Sequence, residues 1–317
     1  MLRFVLAMAA ASAASAGSAA PVAVTGATGK LGRHAVKRLV EQGERVRCLV
    51  RCDPAPAASG SGKEASKAEV AAWLAALPGV ELVKGEVTER SAVQELLRGC
   101  KACLALHGAT RFTKLQDFLS WVDESLDANH ARQVNCEAVS LLLEAAEAQN
   151  CQRLVRVTGK GEEPWSIPSI LINGLGSMAK AWNQEGERRL RSSSVDYTIV
   201  RPGFMGDVDA ELEEPRALAL ADDGGDLKVT AIPHRCVADL CVQSLSFPNC
   251  ARATLVAMTQ PGPGPRTWDV LLEKVRPDRR AFPGAELLSQ HYLAVRSTGA
   301  LLAFGLVAVL SLARRLF

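Results

Sequence analysis

Short apolar runs alternate with amphipathic stretches through the middle of the chain. The runs that read as strands are PVAVTG, RVRCLVR, VELVKG, ACLALHG, RLVRVTG, DYTIVRPG and ATLVAMT. Apolar positions between them recur at helical spacing, most clearly from Asn129 to Gln149. Strands that alternate with helices indicate an α/β fold, and right-handed crossovers then predict a Rossmann-type, doubly wound parallel sheet.

Loop-forming stretches interrupt this pattern of strands and helices, but none of them indicates a boundary between separate domains. The stretch Asp53–Ser61, DPAPAASGS, reads as a flexible low-complexity insert, and the helix that follows it ends at Pro78–Gly79. The chain contains no internal repeat. We therefore expect one dinucleotide-binding domain over 21–290, whose smaller C-terminal part, 206–290, covers the carboxyl ends of the strands.

Both ends of the chain differ from the middle. Residues 1–20 carry one arginine, no acid and an Ala/Ser tract, which is typical of a secretory signal or an organelle transit peptide; an uncleaved Ala-rich terminus is the alternative. The C-terminal stretch 297–313 has no charge and is flanked by arginines. It predicts a C-terminal apolar helix that anchors the protein in a membrane, at the short limit of a span.

Composition excludes several classes of protein. A hydrophobic content of 48% with 22% charged residues is that of a globular chain rather than a disordered one. The net charge of +3 and the lack of a basic run with interleaved aromatic residues argue against nucleic-acid binding. Nine cysteines, an odd count, argue against a disulfide framework, and their spacing predicts no metal site.

A glycine-rich turn stands between the first strand and the first helix. Gly26, Gly29 and Gly32 allow a tight turn, a close approach of the backbone to a pyrophosphate, and close packing of helix on strand. The free amides at the start of the helix favour an anion there. Arg51 follows Gly32 by about 20 residues, where an arginine would take a 2′-phosphate, so the sequence favours NADP(H) over NAD(H).

The motifs VTGATGKLGRHAV, VRCLVR, VKGEVTE, QVNCEAVSLLLEAA, YTIVRPG and IPHRCVADLC resemble those of the atypical short-chain dehydrogenase/reductases, in particular the NmrA-like NAD(P)-binding group. The resemblance covers residues 21–259. It implies that Arg51 meets the 2′-phosphate and that Glu86 and Val87 lie beside the adenine, although the family usually has Asp where Glu86 stands. The residues it places around the pyrophosphate are Gly26, Thr28, Gly29, Lys30, Leu31 and Gly32.

The resemblance also implies a catalytic apparatus, of which one part is missing. Standard members use a serine and a Tyr-x-x-x-Lys pair, whose spacing puts both side chains on one helix face. The only two tyrosines here, Tyr197 and Tyr292, are each followed four residues later by arginine. Thr158 stands roughly at the serine position and Lys180 in the lysine region, so these are the candidate catalytic residues. A second alignment instead puts Asn183 where many relatives carry Lys or His.

Two further features stay open at this stage. His107 ends the fourth strand, where it either contacts the nicotinamide half of the cofactor or is a structural histidine. The apolar segment Trp165–Trp182 reads as a lid, a wall for a hydrophobic ligand, or a surface for a partner.

The sequence leaves two functions open. The first is an NADP-dependent oxidoreductase acting on an apolar, lipid-like or quinone-like small molecule. The second is a non-catalytic, cofactor-binding assembly or redox-regulatory factor that works with a membrane protein complex. Both place the protein at an organelle membrane, with plastid ahead of mitochondrion by analogy with the family, and the secretory route as the alternative.

Overall fold

A computed structural model describes residues 20–55, 66–118, 123–206 and 216–316. Residues 1–19 of the predicted targeting segment and most of the predicted insert Asp53–Ser61 lie outside these ranges.

One mixed sheet forms the centre of the protein. Its strands are β1 (Val22–Thr25), β2 (Val46–Val50), β3 (Val80–Lys84), β4 (Ala102–Ala105), β5 (Arg153–Val157), β6 (Tyr197–Pro202), β8 (Arg216–Ala221) and β10 (Ala253–Pro261). The order is β3-β2-β1-β4-β5-β6-β10-β8, and neighbours are parallel except β8, which runs antiparallel to β10. The chain order reverses between β1 and β4, where sheets of this kind bind ligands. The predicted Rossmann-type α/β fold is confirmed.

Helices cover both faces of this sheet. They are α1 (Lys30–Glu41), α2 (Lys67–Ala75), α3 (Arg90–Leu97), α4 (Ala138–Ala148), α5 (Ile167–Leu175), α6 (Ala179–Arg191), α7 (His234–Ser244), α8 (Asp269–Leu272) and α9 (Glu286–Leu316). Two short strands, β7 (Phe204–Gly206) and β9 (Ala231–Pro233), form a separate parallel pair. The first core packs α1, α2 and α7 on one face, and the second packs α3 and α4 on the other.

The central strands owe their positions to burial on both faces. Every residue of β1 and β4 is buried, so their sequences are continuous apolar runs rather than alternating ones. Val22 is paired with Val46 on one side and Ala102 on the other, which fixes the carboxyl ends of three strands side by side. The loops that leave these ends are therefore held close together.

The structure changes two of the sequence expectations. The helix predicted from Asn129 begins with a π-helical turn, Arg132–Glu137, that runs on into α4. The apolar segment Trp165–Trp182 is broken into α5 and α6 at Met178, whose φ of 61° is left-handed. Gly176, the C-cap of α5, is a sequence signal for the break, whereas no regular signal marks the π-helical turn.

The C-terminal helix α9 begins on the protein body. His291 and Ala294 are fully buried there. The Asn173 Nδ2 amide donates to His291 Nδ1 (3.0 Å), and His291 Nε2 donates to Gln184 Oε1 (2.6 Å), which ties α9 to α5 and α6. Over the part of the chain that the structure describes, no helix combines the length and apolarity needed to cross a membrane. The membrane anchor predicted at 297–313 is not supported by this finding.

Candidate functional site

The glycine turn after β1 is built by backbone contacts that leave no space for side chains. Gly26 has φ +70°, and a Cβ there would lie 2.8 Å from the His107 backbone nitrogen. A Cβ on Gly32 would lie 2.2 Å from the Gly26 carbonyl oxygen. Helix α1 therefore starts directly against the turn, with Gly29 at its N-cap, no side-chain cap and no acid in its first turn. Its free amides and dipole favour an anion at this point.

A groove runs past this turn in two lobes. The first, which we call the Arg51 lobe, has a volume of about 570 Å³. The second, the Thr158 lobe, has a volume of about 340 Å³. Both are lined by Gly26, Gly29, Leu106, His107 and Gly108, so they are two ends of one groove.

The Arg51 lobe gathers residues from the ends of β2, β3 and β4. The predicted residues that line it are Gly26, Thr28, Gly29, Arg51, Glu86, Val87 and His107. Arg51 is exposed, and no hydrogen bond or ion pair holds its guanidinium within the described ranges. The charged group is thus available to a ligand in the lobe.

Lys67 is a further cation in the lining of the Arg51 lobe, and the sequence reasoning missed it. Its ammonium donates to the Thr28 carbonyl oxygen of the glycine turn over 3.1 Å. A capping box places it: the Ser66 hydroxyl accepts from the Glu69 amide (3.2 Å) and the Glu69 carboxylate accepts from the Ser66 amide (2.6 Å). The Ser-x-x-Glu spacing was a signal that could have fixed Lys67 at the first position of α2.

The Thr158 lobe lies at the carboxyl ends of β5 and β6. Its lining, beyond the residues shared with the Arg51 lobe, is Lys30, Leu31, Gly32, Val157, Thr158, Asn183, Met205 and His234. Predicted Thr158 is therefore present, while predicted Lys180 is not among the lining residues. Asn183, from the second alignment, takes a place in the lining instead.

The Thr158 hydroxyl is hydrogen-bonded to a buried carboxylate. It donates to Glu187 Oε1 over 2.6 Å, and Glu187 is 1% exposed. Burial opposes the ionisation of Glu187, but Arg201 and Arg191 overcome it and lower the pKa to about 2. Thr158 therefore presents an oxygen acceptor to the groove rather than a proton.

Lys180 lies behind the lining, three residues before Asn183 on α6. Its ammonium donates to Ser169 Oγ over 2.5 Å. Burial, with the nearby charge of Arg201, lowers the pKa of Lys180 to about 8. Because residues three apart are neighbours on a helix surface, Lys180 lies beside Asn183.

His107 joins the two lobes as a neutral side chain. Its Nδ1 is 2.7 Å from the Thr25 hydroxyl oxygen. Burial and the charge of Arg156 lower the pKa of His107 well below its usual value. The imidazole is therefore uncharged at neutral pH and adds no charge where the lobes meet.

Neither tyrosine reaches the groove. Tyr197 begins β6 and donates its hydroxyl to Asp278 (3.0 Å), and Tyr292 on α9 donates to Glu124. Burial raises the pKa of both phenols. Among the residues that the structure describes, no cluster of His, Cys, Asp or Glu is arranged to hold a metal ion.

Comparison with known proteins decides the family. The family model of NAD(P)H-binding proteins matches residues 26–248, most of the chain. The chain belongs to this NAD(P)H-binding family. The match begins at Gly26 of the glycine turn and confirms the identification of an NmrA-like, atypical short-chain dehydrogenase/reductase made from the motifs.

Relatives of this family member occur among chloroplast proteins. The chain is 26% identical over 258 residues to "Protein TIC 62, chloroplastic" of Arabidopsis thaliana, which is 80% of this chain and 37% of the relative. The protein of the same name from Pisum sativum is 24% identical over 176 residues, 55% of this chain and 31% of the relative. The chain thus spans about a third of the length of these two relatives.

Solved structures share the fold. A short-chain dehydrogenase/reductase from Veillonella parvula in complex with NADP has a TM-score of 0.55 at 12% identity, covering 77% of this chain and 95% of that one. An oxidoreductase from Lactococcus lactis has a TM-score of 0.56 at 14% identity, covering 80% and 95%. At these identities the likeness extends to the fold alone.

Proposed function

We propose that this family member is an NADP(H)-dependent oxidoreductase that acts on an apolar acceptor. The observation that carries the proposal is the groove formed by the two lobes, with Arg51 at one end and Met205 in the lining at the other. When bound, NADPH would supply a hydride from its nicotinamide ring. Gly26, Gly29 and the start of α1 would hold the pyrophosphate between the two lobes.

The cations of the Arg51 lobe support NADP(H) rather than NAD(H). Arg51 and Lys67 line the same lobe, so both positive charges would lie near a 2′-phosphate that is bound there. A carboxylate alone at the end of β2 would have favoured a ribose hydroxyl. Glu86 and Val87, after β3, are placed for the adenine in this proposal.

Arg51→Ala is expected to weaken NADPH about 10- to 100-fold and to leave NADH within about twofold, because a hydrogen bond to a charged group contributes roughly 1.5–3 kcal/mol. Calorimetric titration with both cofactors measures this. Lys67→Ala should show the same selectivity with a smaller loss. Glu41→Ala, an exposed change on α1 outside the groove, is the matched control. Equal loss of both cofactors in Arg51→Ala would refute the assignment of Arg51 to the phosphate.

Met205 in the Thr158 lobe and exposed apolar side chains elsewhere on the surface support an apolar acceptor. Met205 lines the lobe, and its neighbour Phe204 is 65% exposed. Helix α5, on the chain leading out of β5, exposes Ile167, Leu171 and Leu175. Exposed apolar surface of this extent is typical of a binding region.

We propose Lys180 as the source of the proton that accompanies reduction. A lysine donates only while protonated, and its pKa of about 8 keeps it charged at neutral pH and uncharged above. The turnover rate should therefore fall as the pH rises through about 8. Lys180→Ala should lower kcat by roughly 10²-fold or more and remove this limb of the pH profile. Full turnover with an unchanged profile in Lys180→Ala would exclude Lys180 as the donor.

A second function is a cofactor-binding assembly or redox-regulatory factor in plastids. It is favoured by the two tyrosines, which both lie outside the groove, and by the relatives named chloroplastic. This function predicts tight NADPH binding with no oxidation of NADPH by any of a panel of quinones and enones, and import into isolated chloroplasts. Turnover of NADPH with one acceptor at steady state would decide for the oxidoreductase.

A further inference from the structure

The side-chain amide of Asn183 has a fixed orientation. Its Oδ1 accepts a hydrogen bond from Arg156 Nη2 over 3.0 Å, so Oδ1 points away from the groove and into the protein. Asn183 nevertheless lines the Thr158 lobe. The amide nitrogen, Nδ2, is the remaining polar atom, and no described residue accepts a hydrogen bond from it. An N–H donor is thus left for a ligand in the lobe.

Arg156 stands behind this amide as a buried cation. It is 1% exposed, and its Nη1 donates to the carbonyl oxygens of Ala105 (3.1 Å) and His107 (2.5 Å). Among the described residues no carboxylate hydrogen-bonds to it, and the nearby charge of Glu187 offsets its burial only in part, since the pKa of Arg156 is still lowered to about 10. A buried charge whose direct partners are neutral dipoles is costly, and further negative charge nearby is favourable.

The two residues form a hydrogen-bonded chain that ends at the lining of the lobe. The guanidinium polarises the amide through Oδ1, and hydrogen bonds in such chains strengthen one another. The positive charge of Arg156 therefore makes Asn183 Nδ2 a stronger hydrogen-bond donor at the surface of the lobe. The two backbone carbonyls and Asn183 Oδ1 hold Arg156 in place, so no reorganisation is needed when negative charge appears.

We propose that Asn183 Nδ2, backed by Arg156, is a binding site for an oxygen that carries negative charge, and that the acceptor is a conjugated carbonyl compound, quinones included. This inference rests on the proposed function and names its class of substrate. A hydride passes from NADPH to the acceptor carbon: the nicotinamide C–H bond breaks, a new C–H bond forms, and the displaced electron pair moves through the conjugated system onto the oxygen. NADPH is oxidised to NADP⁺, and the resulting enolate or phenolate then takes the proton that the proposed function assigns to Lys180, which becomes the neutral amine.

The acceptor must be conjugated because the Asn183 amide donates a hydrogen bond but not a proton. An amide binds an anion but has no proton to give, and Lys180 is not among the lining residues, so the oxygen must remain negative until the proton of Lys180 reaches it. Reduction of a simple ketone produces an alkoxide about as basic as hydroxide, which calls for an acid such as the missing tyrosine. A phenolate or a related enolate has a conjugate acid with a pKa of about 10 and is stabilised well enough by a polarised amide.

The test uses 4-nitrophenol, whose phenolate is yellow and whose phenol is not, titrated into the full chain with and without NADP⁺. The wild-type protein is expected to bind the phenolate at least about tenfold more tightly than the phenol, which lowers the pKa of the bound probe. Asn183→Leu, of similar size, should lose this preference. Asn183→Asp should reverse it, because its carboxylate pairs with Arg156 and repels the phenolate. Arg188→Leu, a change at a half-exposed position of the same helix where the side chain pairs with Glu185, should behave as wild type.

Each result decides one question. NADPH affinity and melting temperature show whether the Asn183 variants remain folded with an intact Arg51 lobe. A wild-type protein that shows no preference for phenolate, or an Asn183→Leu variant that retains it, overturns the inference. Failure to bind NADPH overturns the proposed function separately, since titration of the cofactor-free protein still shows whether Asn183 binds the phenolate.

Discussion

Glu187→Gln is expected to destabilise the fold by about 3–5 kcal/mol, because the substitution removes the buried carboxylate that pairs with both Arg201 and Arg191 and leaves buried Arg201 with Glu162 alone. Glu187 accepts from Arg201 Nε (3.0 Å) and Nη2 and from Arg191 Nη2 (3.0 Å). Arg201 is almost as buried as Glu187 itself. Urea unfolding at pH 7 measures the loss of free energy.

The control for this prediction is Glu144→Gln. Glu144 pairs with Arg90 on the surface, where both side chains are more than half exposed. Exposed pairs contribute roughly 0–1 kcal/mol, so this variant should unfold close to wild type. A loss of less than about 1 kcal/mol in Glu187→Gln would show that the buried pairs do not stabilise the fold.

The pH dependence of stability gives a second measure of the same group. The folded pKa of Glu187, about 2, lies below its ordinary value of 4.5. A carboxyl with a depressed folded pKa contributes stability above its unfolded pKa, and this contribution is lost as the pH falls from about 4.5 towards 2. Glu187→Gln should therefore show a flatter loss of stability between these two pH values than wild type.

The strands at the centre of the sheet could be predicted because they are buried on both faces. The run PVAVTG is apolar up to Val24 and ACLALHG is apolar up to Leu106, and β1 and β4 lie within these runs. Strand β8 was not predicted, since its sequence RALALA is rich in alanine, which has little preference for strands. It is held by antiparallel pairing with β10, a contact between segments far apart in the chain.

The residues of the candidate site also divide into those that the sequence predicts and those that only the structure reveals. Gly26, Gly32 and Arg51 could be predicted because each follows a strand at a fixed distance, and strand ends meet at one edge of the sheet. Lys67 reaches the groove only through its contact with the Thr28 carbonyl. Arg156 reads as one more residue of β5, and only packing shows that it supports Asn183. The sequence can place such a residue on an element, as the Ser66–Glu69 capping box does for Lys67, but it holds no pattern for the tertiary contact on which the residue's role depends.

Gly32→Ala is expected to weaken both NADPH and NADH by about 100-fold or more. A methyl group at this position would lie 2.2 Å from the Gly26 carbonyl oxygen and 2.7 Å from Ala27 Cα, and both are backbone atoms that cannot rotate away. The turn or the start of α1 must therefore shift, which moves the amides that would hold the pyrophosphate. Fluorescence titration with each cofactor measures the loss.

Graded substitutions separate this local effect from general loss of stability. At Gly29 the added carbon would lie 3.2 Å from the same Gly26 oxygen, so Gly29→Ala should weaken the cofactors less than Gly32→Ala. At Gly299, on α9, it would meet nothing within 4 Å, so Gly299→Ala should bind as wild type. Unlike Arg51→Ala, the turn variants should affect NADPH and NADH equally, because the pyrophosphate is common to both. If Gly32→Ala bound both cofactors normally, the pyrophosphate would have to lie elsewhere in the groove.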